Sequence, residues 1–464
     1  EGLTLSSSVN YIREQRDFTS MNLASSNYYY ALYDSDPRYA LELPDPAYLS
    51  YAGSSYGNAL FVSSRKLAGY SRSDNHNFRL NASLSYDLPQ VKGLRLKAFY
   101  HYNNYYGLSK VFRKQPEFYS YKADVGEYLF ERKSQDPTML AHGVSYSDDL
   151  TQQYSLNYEN TFDDVHRVTA LLLHERIDYT NEGFDTQRGN LTSSVIDQLF
   201  AGDPTTASNN SYASEMARAS YVGRVNYGYK NRYLVETIFR ADASAKFPKD
   251  GRWGYFPSIS LGWVINEEEF MKKNNAIDLL KLRTSLGQSG DDGIGNYQYY
   301  AGYSYDMSYI LGSNILQGIF STGLANPLLS WERISIYNGG IDFSFWQRKL
   351  YGTIEAFYRL RDGIPGYRTQ SLPSTFGASL PLENLNSMDT RGFEFELGTK
   401  GKSGRLLYDV SANLSWARNK WVAFDEPEYM DEDQKRIFGV TGKWTDERYG
   451  YVSDGLFTSM EEIA

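Results

Sequence analysis

Cysteine is absent from the 464 residues of this chain, which excludes disulfide bonds and zinc–thiolate sites. Long apolar runs are absent too: the longest, around 170–173, falls far short of the roughly 18 residues that a membrane-spanning helix needs. Positive charge is in deficit, because 47 basic residues against 56 acidic ones give a net charge of −9. These absences exclude a helical membrane protein and argue against a nucleic-acid partner.

Aromatic residues, by contrast, are abundant. The chain has 42 Tyr and 24 Phe, and aromatic residues make up 16% of the sequence, yet its mean hydropathy is −0.54. Successive side chains of a β-strand point to opposite faces, so strands with one apolar and one polar face produce this mixture. The composition therefore favours an all-β protein in which each strand has one apolar face.

Two segments in the last quarter of the chain show the expected alternation most clearly. The apolar set is Phe393, Phe395, Leu397, Tyr408, Val410, Leu414 and Trp416, and the polar set between them is Glu394, Glu396, Asp409, Ser411 and Asn413. Strands of transmembrane β-barrels alternate in this way, because lipid lies on one side and the lumen on the other. We therefore predict that the first set faces lipid and that the second faces the lumen.

Alternation of this kind predicts about twelve strands along the chain. They cover 80–88, 94–103, 153–162, 166–178, 219–229, 233–242, 255–265, 278–289, 333–346, 350–360, 390–400 and 405–417. The links between them alternate in length. Short turns are predicted at 89–93, 163–165, 230–232, 347–349 and 401–404, and long loops at 104–152, 179–217, 290–332 and 361–389.

This ordering of links is typical of an antiparallel up-and-down β-barrel with tight turns at one rim and long loops at the other. Two links of intermediate length, 243–254 and 266–277, do not interrupt the alternation of short and long connections. A soluble β-sandwich has no reason to sort its loops by length, and we find no regular repeat of the kind that a propeller requires. Part of a transmembrane β-barrel is the predicted fold, with the long loops extracellular and the short turns periplasmic.

Several longer motifs resemble those of the SusC/RagA-type TonB-dependent outer-membrane transporters. The motifs are RADASAKFPKDGRWGYFPSISLGW at 240–263, LKLRTSLGQSG at 280–290, DGIGNYQ at 292–298, NPLLSWER at 326–333, NLNSMDTRGFEFE at 384–396 and GYVSDGLF at 450–457. Their order along the chain also matches the family. The resemblance covers roughly residues 80–460.

The resemblance implies a nutrient importer of the outer membrane of a Bacteroidetes-type bacterium, carrying oligosaccharides or peptides. It further implies a SusD-like surface lipoprotein that closes over the barrel as a lid. An N-terminal plug would fill the lumen and present a TonB box, and TonB would supply the energy. No cofactor is implied.

The resemblance also sets expectations about extent. A family barrel has about 22 strands, so the twelve to fourteen expected here form only a portion of it. Residues 80–464 are predicted to be that portion, and residues 1–79 to be early strands and a loop. We expect the N-terminal plug and the C-terminal barrel strands to lie outside this chain.

Catalytic and metal-binding patterns are weak throughout. The five histidines show no metal-ligand spacing. Asp291, Asp292 and Asn296 are rich in oxygen and flanked by glycine, so they are candidate calcium ligands, although a turn explains the same pattern better. We therefore predict no enzyme activity and no metal centre.

Two other functions compete with active import. A passive porin or an export channel would share the barrel but would lack a plug and a TonB box. A soluble glycan-binding β-protein would be extracted from cells without detergent.

Overall fold

Thirteen strands of the computed structural model form one antiparallel sheet in which each strand pairs with the next along the sheet. The structure describes residues 2–20, 27–53, 58–133, 137–193, 195–272, 274–369, 374–450, 452–453 and 455–457. In sheet order the strands are β1 (Leu3–Thr19), β3 (Gly69–Asp87), β4 (Leu94–Arg113), β7 (Met139–Phe162), β8 (His166–Gly189), β9 (Ser208–Tyr229), β10 (Tyr233–Ser244), β11 (Trp253–Val264), β12 (Ile277–Asp291), β15 (Glu332–Phe345), β16 (Leu350–Tyr367), β17 (Leu382–Ser403) and β18 (Leu406–Ala423).

The remaining elements lie in the links between these strands. They are β2 (Leu49–Ser50), β5 (Glu117–Lys122) and β6 (Glu127–Lys133), which form a small sheet; the hairpin of β13 (Tyr303–Leu311) and β14 (Asn314–Ser321); and the helices α1 (Asn27–Tyr33), α2 (Ala59–Ser63), α3 (Arg65–Ala68) and α4 (Glu432–Phe438). Single 3-10 turns cover Leu199–Ala201, Pro204–Thr206, Ile265–Glu267 and Ser374–Phe376. Among the described residues, no helix is long and apolar enough to span a membrane.

The predicted antiparallel order of the strands is confirmed. All twelve predicted strands are present, and β1 adds a thirteenth at one edge of the sheet. Most strands are longer than predicted, and the excess is greatest for β7, which has 24 residues. The extra length lies toward the long loops, where the apolar–polar alternation fades and gives no signal to follow.

The short connections are tight turns with left-handed backbone. Asp163 and Asp164 have φ of 49° and 56°, and Lys230 and Asn231 have φ of 52° and 56°. Turns of this type match the right-handed twist of the strands that they join, and Asp and Asn tolerate the left-handed region better than most residues. All the links on this side of the sheet, 88–93, 163–165, 230–232, 265–276, 346–349 and 404–405, define what we call the short-turn rim.

The opposite end of the sheet carries most of the longer links. Those at 20–68, 114–138, 190–207, 245–252, 292–331, 368–381 and beyond 423 define the long-loop rim. Three small hydrophobic clusters lie there, around Phe61 and Phe118, around Phe112 and Leu140, and around Phe247. The sheet itself is one layer thick, so most of its side chains remain half-exposed on both faces.

Candidate functional site

The strand register gathers acidic and polar side chains on one face of the sheet. Glu394 lies opposite Glu355 of β16 and Ser415 of β18, and Glu396 lies opposite Asn413. Residues paired directly across antiparallel strands project from the same face. We call this side the polar face.

Two more residues of the predicted lumenal set lie on the same face. Ser411 pairs with Gly398, and Asp409 pairs with Lys400. The hydroxyl of Tyr351 donates to Oδ1 of Asp409 at 2.9 Å. All five residues that we predict to face the lumen therefore share one surface, where cations and hydroxyl groups accompany them.

The predicted lipid-facing residues lie together on the other side, which we call the apolar face. The rings of Phe393 and Trp416 are 5.9 Å apart between centroids. Phe395 lies between Ile354 of β16 and Leu414 of β18 in the register. From Phe393 to Leu397 on β17 and from Ala412 to Trp416 on β18, every side chain on this face is apolar.

The same row continues toward the short-turn rim. Leu397 pairs with Ala412, Val410 pairs with Thr399, and Tyr408 lies over Gly401. The structure thus separates the two predicted sets onto opposite faces. That the apolar face contacts lipid and the polar face lines the lumen stays a prediction.

Charged groups on the polar face are held in pairs and networks. Nη2 of Arg283 donates to Oε2 of Glu355 at 2.5 Å, reaching across the whole width of β15. Gly340 makes this reach possible, because a Cβ there would lie 2.9 Å from the Cζ of Arg283. Asn338 also donates to Glu355, and a carboxylate oxygen of Asp342 lies 3.3 Å from Nε of Arg283.

A groove of about 460 Å³ opens on the polar face near the short-turn rim. Its floor is formed by Leu234, which lies against Gly228 and Gly262 on the neighbouring strands. Its lining includes Arg224, Glu236, Ser260, Lys281 and Asn338. Such a mixture of charged, hydroxyl and amide groups can bind polar solutes or pack against another polypeptide segment.

The calcium candidates do not converge on one point. The carboxylate of Asp292 is 5% exposed and accepts hydrogen bonds from Nε of Arg218 at 2.8 Å and from the Ser244 hydroxyl at 2.7 Å. Asp291 accepts from the backbone N–H of Gly293 at 2.8 Å, as in an ordinary Asp turn.

The third candidate points elsewhere. Asn296 donates to the hydroxyl of Ser214 at 2.6 Å. A guanidinium therefore occupies the place that a cation would take beside Asp292. In the part of the chain that the structure describes, no group of three or more His, Asp or Glu side chains is arranged to hold a metal ion.

The described residues of the links 245–252, 292–331 and 368–381 pack into one folded unit, which we call the rim platform. Phe247 and Leu329 are fully buried in it, and Ile294 is 8% exposed. The ring of Trp331 lies 5.2 Å from that of Phe247. Asn384 ties the platform to the sheet by donating to two backbone carbonyls, at 2.9 and 2.7 Å. The rim platform is therefore a folded, preformed surface at the long-loop rim.

A second folded unit on the long-loop rim was not predicted from the sequence. Aromatic rings gather at the small sheet of β2, β5 and β6: Tyr48 stacks on Tyr128 at 4.2 Å, and the tilted ring of Tyr121 lies 4.9 Å from Tyr128. Beneath it, Phe118 packs edge-on against Phe61 at 5.5 Å. The alternation of aromatic residues at 119 and 121 is the only local signal for it, and it is too short to identify a strand.

At the short-turn rim, Glu268 fixes the conformation of the link 265–276. It accepts hydrogen bonds from the Tyr233 hydroxyl at 2.6 Å and from the Trp263 indole N–H at 3.0 Å, and Arg232 lies 3.3 Å away. These contacts, led by the hydrogen bond from Tyr233, hold the pKa of Glu268 below its ordinary value. The carboxylate therefore stays ionised at neutral pH and anchors the turn to two strands.

Neighbouring strands of the sheet are antiparallel, and they carry an apolar face and a polar face. Most of the links at one rim are short, and most of those at the other rim are longer. These features together describe part of the wall of a large up-and-down β-barrel. The family model for TonB dependent receptor-like β-barrels matches residues 11–459. The chain therefore belongs to that family, as the motifs indicated.

Relatives and solved structures agree with this assignment. The chain is 31% identical to the TonB-dependent receptor P39 of Formosa agariphila over 68% of its own length and 30% of the relative. It is also 31% identical to the TonB-dependent receptor SusC of Bacteroides thetaiotaomicron over 56% of its own length and 26% of that protein. The structure of the RagAB peptide importer in its closed-closed state superimposes with a TM-score of 0.67 at 21% identity, over 78% of this chain and 38% of that one.

The resemblance to SusC/RagA-type transporters is thus confirmed, and relatives from Formosa and Bacteroides agree with a Bacteroidetes-type origin. The chain spans about a third of the length of these relatives. At 21% identity, the structural likeness shows a shared fold and nothing more.

Proposed function

We propose that this chain forms part of the wall of an outer-membrane importer that is energised through TonB. The observation that carries the proposal is the division of the sheet into an apolar face and a charged polar face, between rims of unequal link length. Water-soluble proteins bury an apolar sheet face against a second layer. Here the sheet has no second layer among the described residues, and the expected cover for its apolar face is lipid.

The polar face fits the lumen for an energetic reason. A basic side chain at the middle of a bilayer costs about 2–4 kcal/mol. Arg283, Arg224 and Glu394 all project from the polar face, so turning that face to lipid would bury several charges at once. Phe393, Phe395, Leu397, Tyr408, Val410, Leu414 and Trp416 therefore face lipid, and Glu394, Glu396, Asp409, Ser411 and Asn413 face the lumen.

The partners that we propose follow from family membership. A plug outside this chain fills the lumen and connects to TonB, and a SusD-like lipoprotein covers the long-loop rim. The cargo is an oligosaccharide or a peptide; the structural relative is itself described as a peptide importer. The rim platform and the aromatic sheet above the barrel offer folded surfaces for the lid and the cargo.

Sidedness is tested by labelling single cysteines on intact cells, since this chain contributes no thiol of its own. Val125 is 59% exposed on the long-loop rim, and Arg405 lies in the turn between β17 and β18. A membrane-impermeant maleimide should label Val125→Cys on intact cells and Arg405→Cys only after the outer membrane is permeabilised. The reverse pattern would invert the proposed topology.

Active import is tested separately with the full-length protein. Uptake of labelled oligosaccharides and peptides should stop in cells that lack TonB or a proton gradient. Uptake that continues without TonB would indicate a passive channel instead. Recovery of the protein in buffer without detergent would indicate a soluble β-protein and would contradict membrane placement itself.

A further inference from the structure

The uncharged apolar face of β17 and β18 ends abruptly at one row of the sheet. On β18, the residues on this face from Leu406 to Trp416 carry no charge, and the next one is Arg418. On β17 the uncharged stretch ends in the same way at Arg391. Ten residues of strand span about 33 Å along the chain, which at a tilt of about 40° covers about 25 Å of membrane thickness. That equals the apolar band of such barrels, so Arg391 and Arg418 lie at its upper boundary.

The two arginines are direct neighbours. Arg391 and Arg418 face each other across β17 and β18 with no register shift between them and the apolar rows below. Like charges directly opposite each other destabilise a sheet. Negative charge from the protein or from a ligand is therefore needed to offset the repulsion between the two guanidinium groups.

Aromatic rings hold the guanidinium groups in place on both sides. The Cζ of Arg391 lies 5.6 Å from the centroid of the Tyr358 ring, and that of Arg418 lies 4.6 Å from Trp444. Lys420, one row higher on the same face, is 5.9 Å from the same Trp444 ring. Tyr358, Arg391, Arg418 and Trp444 thus lie side by side across the sheet. Aromatic girdles of membrane proteins lie at the level of the lipid headgroups.

The protein neutralises this row only in part. Asp389 lies 2.9 Å from Arg391, and Asp446 lies 2.9 Å from Arg418. Three cations therefore share two carboxylates, and the side chain of Asp446 is itself 62% exposed on a loop. The side chains of Arg391 and Arg418 remain 54% and 34% exposed, which leaves N–H donors of both guanidinium groups open.

We propose that Arg391 and Arg418, with Lys420, bind the phosphate group of a phosphorylated lipid in the outer leaflet of the membrane. Guanidinium groups bind phosphate oxygens through paired, charge-assisted hydrogen bonds, and two of them side by side match one phosphate. An anion between them also removes the repulsion across the strands. The acyl chains of the same lipid would lie along Phe393, Trp416 and the apolar rows below.

At the short-turn end of the apolar face, β17 and β18 carry no comparable row of cations. Toward the short-turn rim, the apolar-face residues of β17 are Leu397, Thr399, Gly401 and Ser403, and those of β18 are Val410, Tyr408 and Leu406. None of these is charged. The cationic row therefore favours one leaflet, the one at the long-loop rim. This inference rests on the membrane placement proposed above.

The test uses the full-length protein purified in detergent, with native mass spectrometry to count bound lipid. Lipid A is offered in competition with its dephosphorylated form. The wild type should retain lipid A at least about tenfold better, a ratio worth about 1.4 kcal/mol, and the double variant Arg391→Gln/Arg418→Gln should lose that preference. The matched control is Lys400→Gln/Lys402→Gln, which removes two positive charges from the polar face of the same strand.

Each outcome decides the proposal. Equal retention of the two lipids by the wild type, or undiminished preference in the arginine double variant, would overturn it. Displacement of lipid A by inorganic phosphate at matched concentration would show a site for a free anion instead. If the double variant fails to fold, the comparison of the two lipids on the wild type still decides. Failure of the proposed import function is seen separately, in the TonB-dependent uptake assay.

Discussion

The sheet and the long-loop rim of this protein are stabilised in different ways. The largest fully buried apolar side chains, Phe61, Phe118, Phe247, Leu140, Leu329 and Val62, lie in the links of the long-loop rim or at the strand ends beside it. In the middle of the sheet, by contrast, Phe393 is 43% exposed and Leu414 is 59% exposed. The loops therefore fold as small water-soluble units do, whereas the sheet is held by its hydrogen-bond ladder, and the membrane placement proposed above would cover its apolar face with lipid.

This difference predicts that the two regions respond to different changes. A cavity in the rim platform should loosen the loops and leave the ladder intact. A charge on the apolar face should weaken the sheet only when lipid surrounds it. Each of the following changes is expected to act on one region of the molecule and to spare another. They are given from the largest expected loss of stability to the smallest.

Leu329→Ala should destabilise the rim platform by about 2–5 kcal/mol, the usual cost of truncating a buried leucine. Leu329 is fully buried beside Phe247 and Ile294. Hydrogen exchange measured by mass spectrometry should show faster opening of 292–331 and unchanged protection of β12 and β15. The control is Leu328→Ala, because Leu328 is 84% exposed in the same loop. Equal loss of protection in the sheet would show that the platform and the sheet do not fold separately.

Phe395→Arg should destabilise the folded barrel by about 2–4 kcal/mol, because it places a cation at the middle of the bilayer. The measurement is a urea titration of the full-length protein in lipid vesicles. The matched change Glu394→Arg, one residue away on the polar face, should leave stability nearly unchanged and alter transport instead. If Glu394→Arg proves the more damaging of the two, the assignment of the faces is inverted.

The parts of the fold that were predictable are those where apolar and polar residues alternate strictly along the strand. From 390 to 417, alternation identifies both strands and the turn between them. The halves of β7 and β8 toward the long-loop rim were missed because polar side chains occur on both faces there and the alternation is lost. β1 was only loosely predicted, since Ser6, Ser7 and Ser8 interrupt its pattern.

The folded loops were predictable in position but not in structure. The hairpin of β13 and β14 lies inside a segment predicted only as a long loop. The burial of Phe247 depends on contacts with Leu329, which is far away in the sequence. The ion pair of Asp292 with Arg218 is equally remote, because its partners are 74 positions apart. Local patterns carry no information about such contacts, so the calcium hypothesis could be weighed only against a turn.

Gly340→Val should weaken the sheet by about 1 kcal/mol, the upper range for a partly exposed ion pair. A Cβ at this position would lie 2.9 Å from the Cζ of Arg283, so the new side chain displaces the guanidinium and breaks its pair with Glu355. The control is Gly339→Val on the apolar face, where an added Cβ meets no atom within 4 Å. The two variants are compared in the same urea titration, and equal midpoints would show that the Arg283–Glu355 pair contributes nothing measurable.

The smallest expected effect concerns the short-turn rim and its dependence on pH. The pKa of Glu268 is lowered, chiefly by the hydrogen bond from Tyr233, so the folded state binds a proton there less readily than the unfolded chain. Its contribution is therefore complete above the unfolded value of 4.5 and disappears as the pH falls through the lower folded value. Hydrogen exchange of 265–276, corrected for the intrinsic effect of pH on exchange, should accelerate as the pH falls below 4.5.

Glu268→Gln should abolish that pH dependence and leave the rim platform unaffected. Glu269→Gln serves as the control, because Glu269 lies on the same turn with its side chain 73% exposed, where water screens its pairs with Lys272 at 2.7 Å and with Arg232 at 3.1 Å. A surface pair of this kind contributes little, so the control should retain the acid transition of the wild type. If Glu269→Gln removes the transition and Glu268→Gln preserves it, the turn is held by its surface ion pair and not by the buried carboxylate that joins β10 and β11.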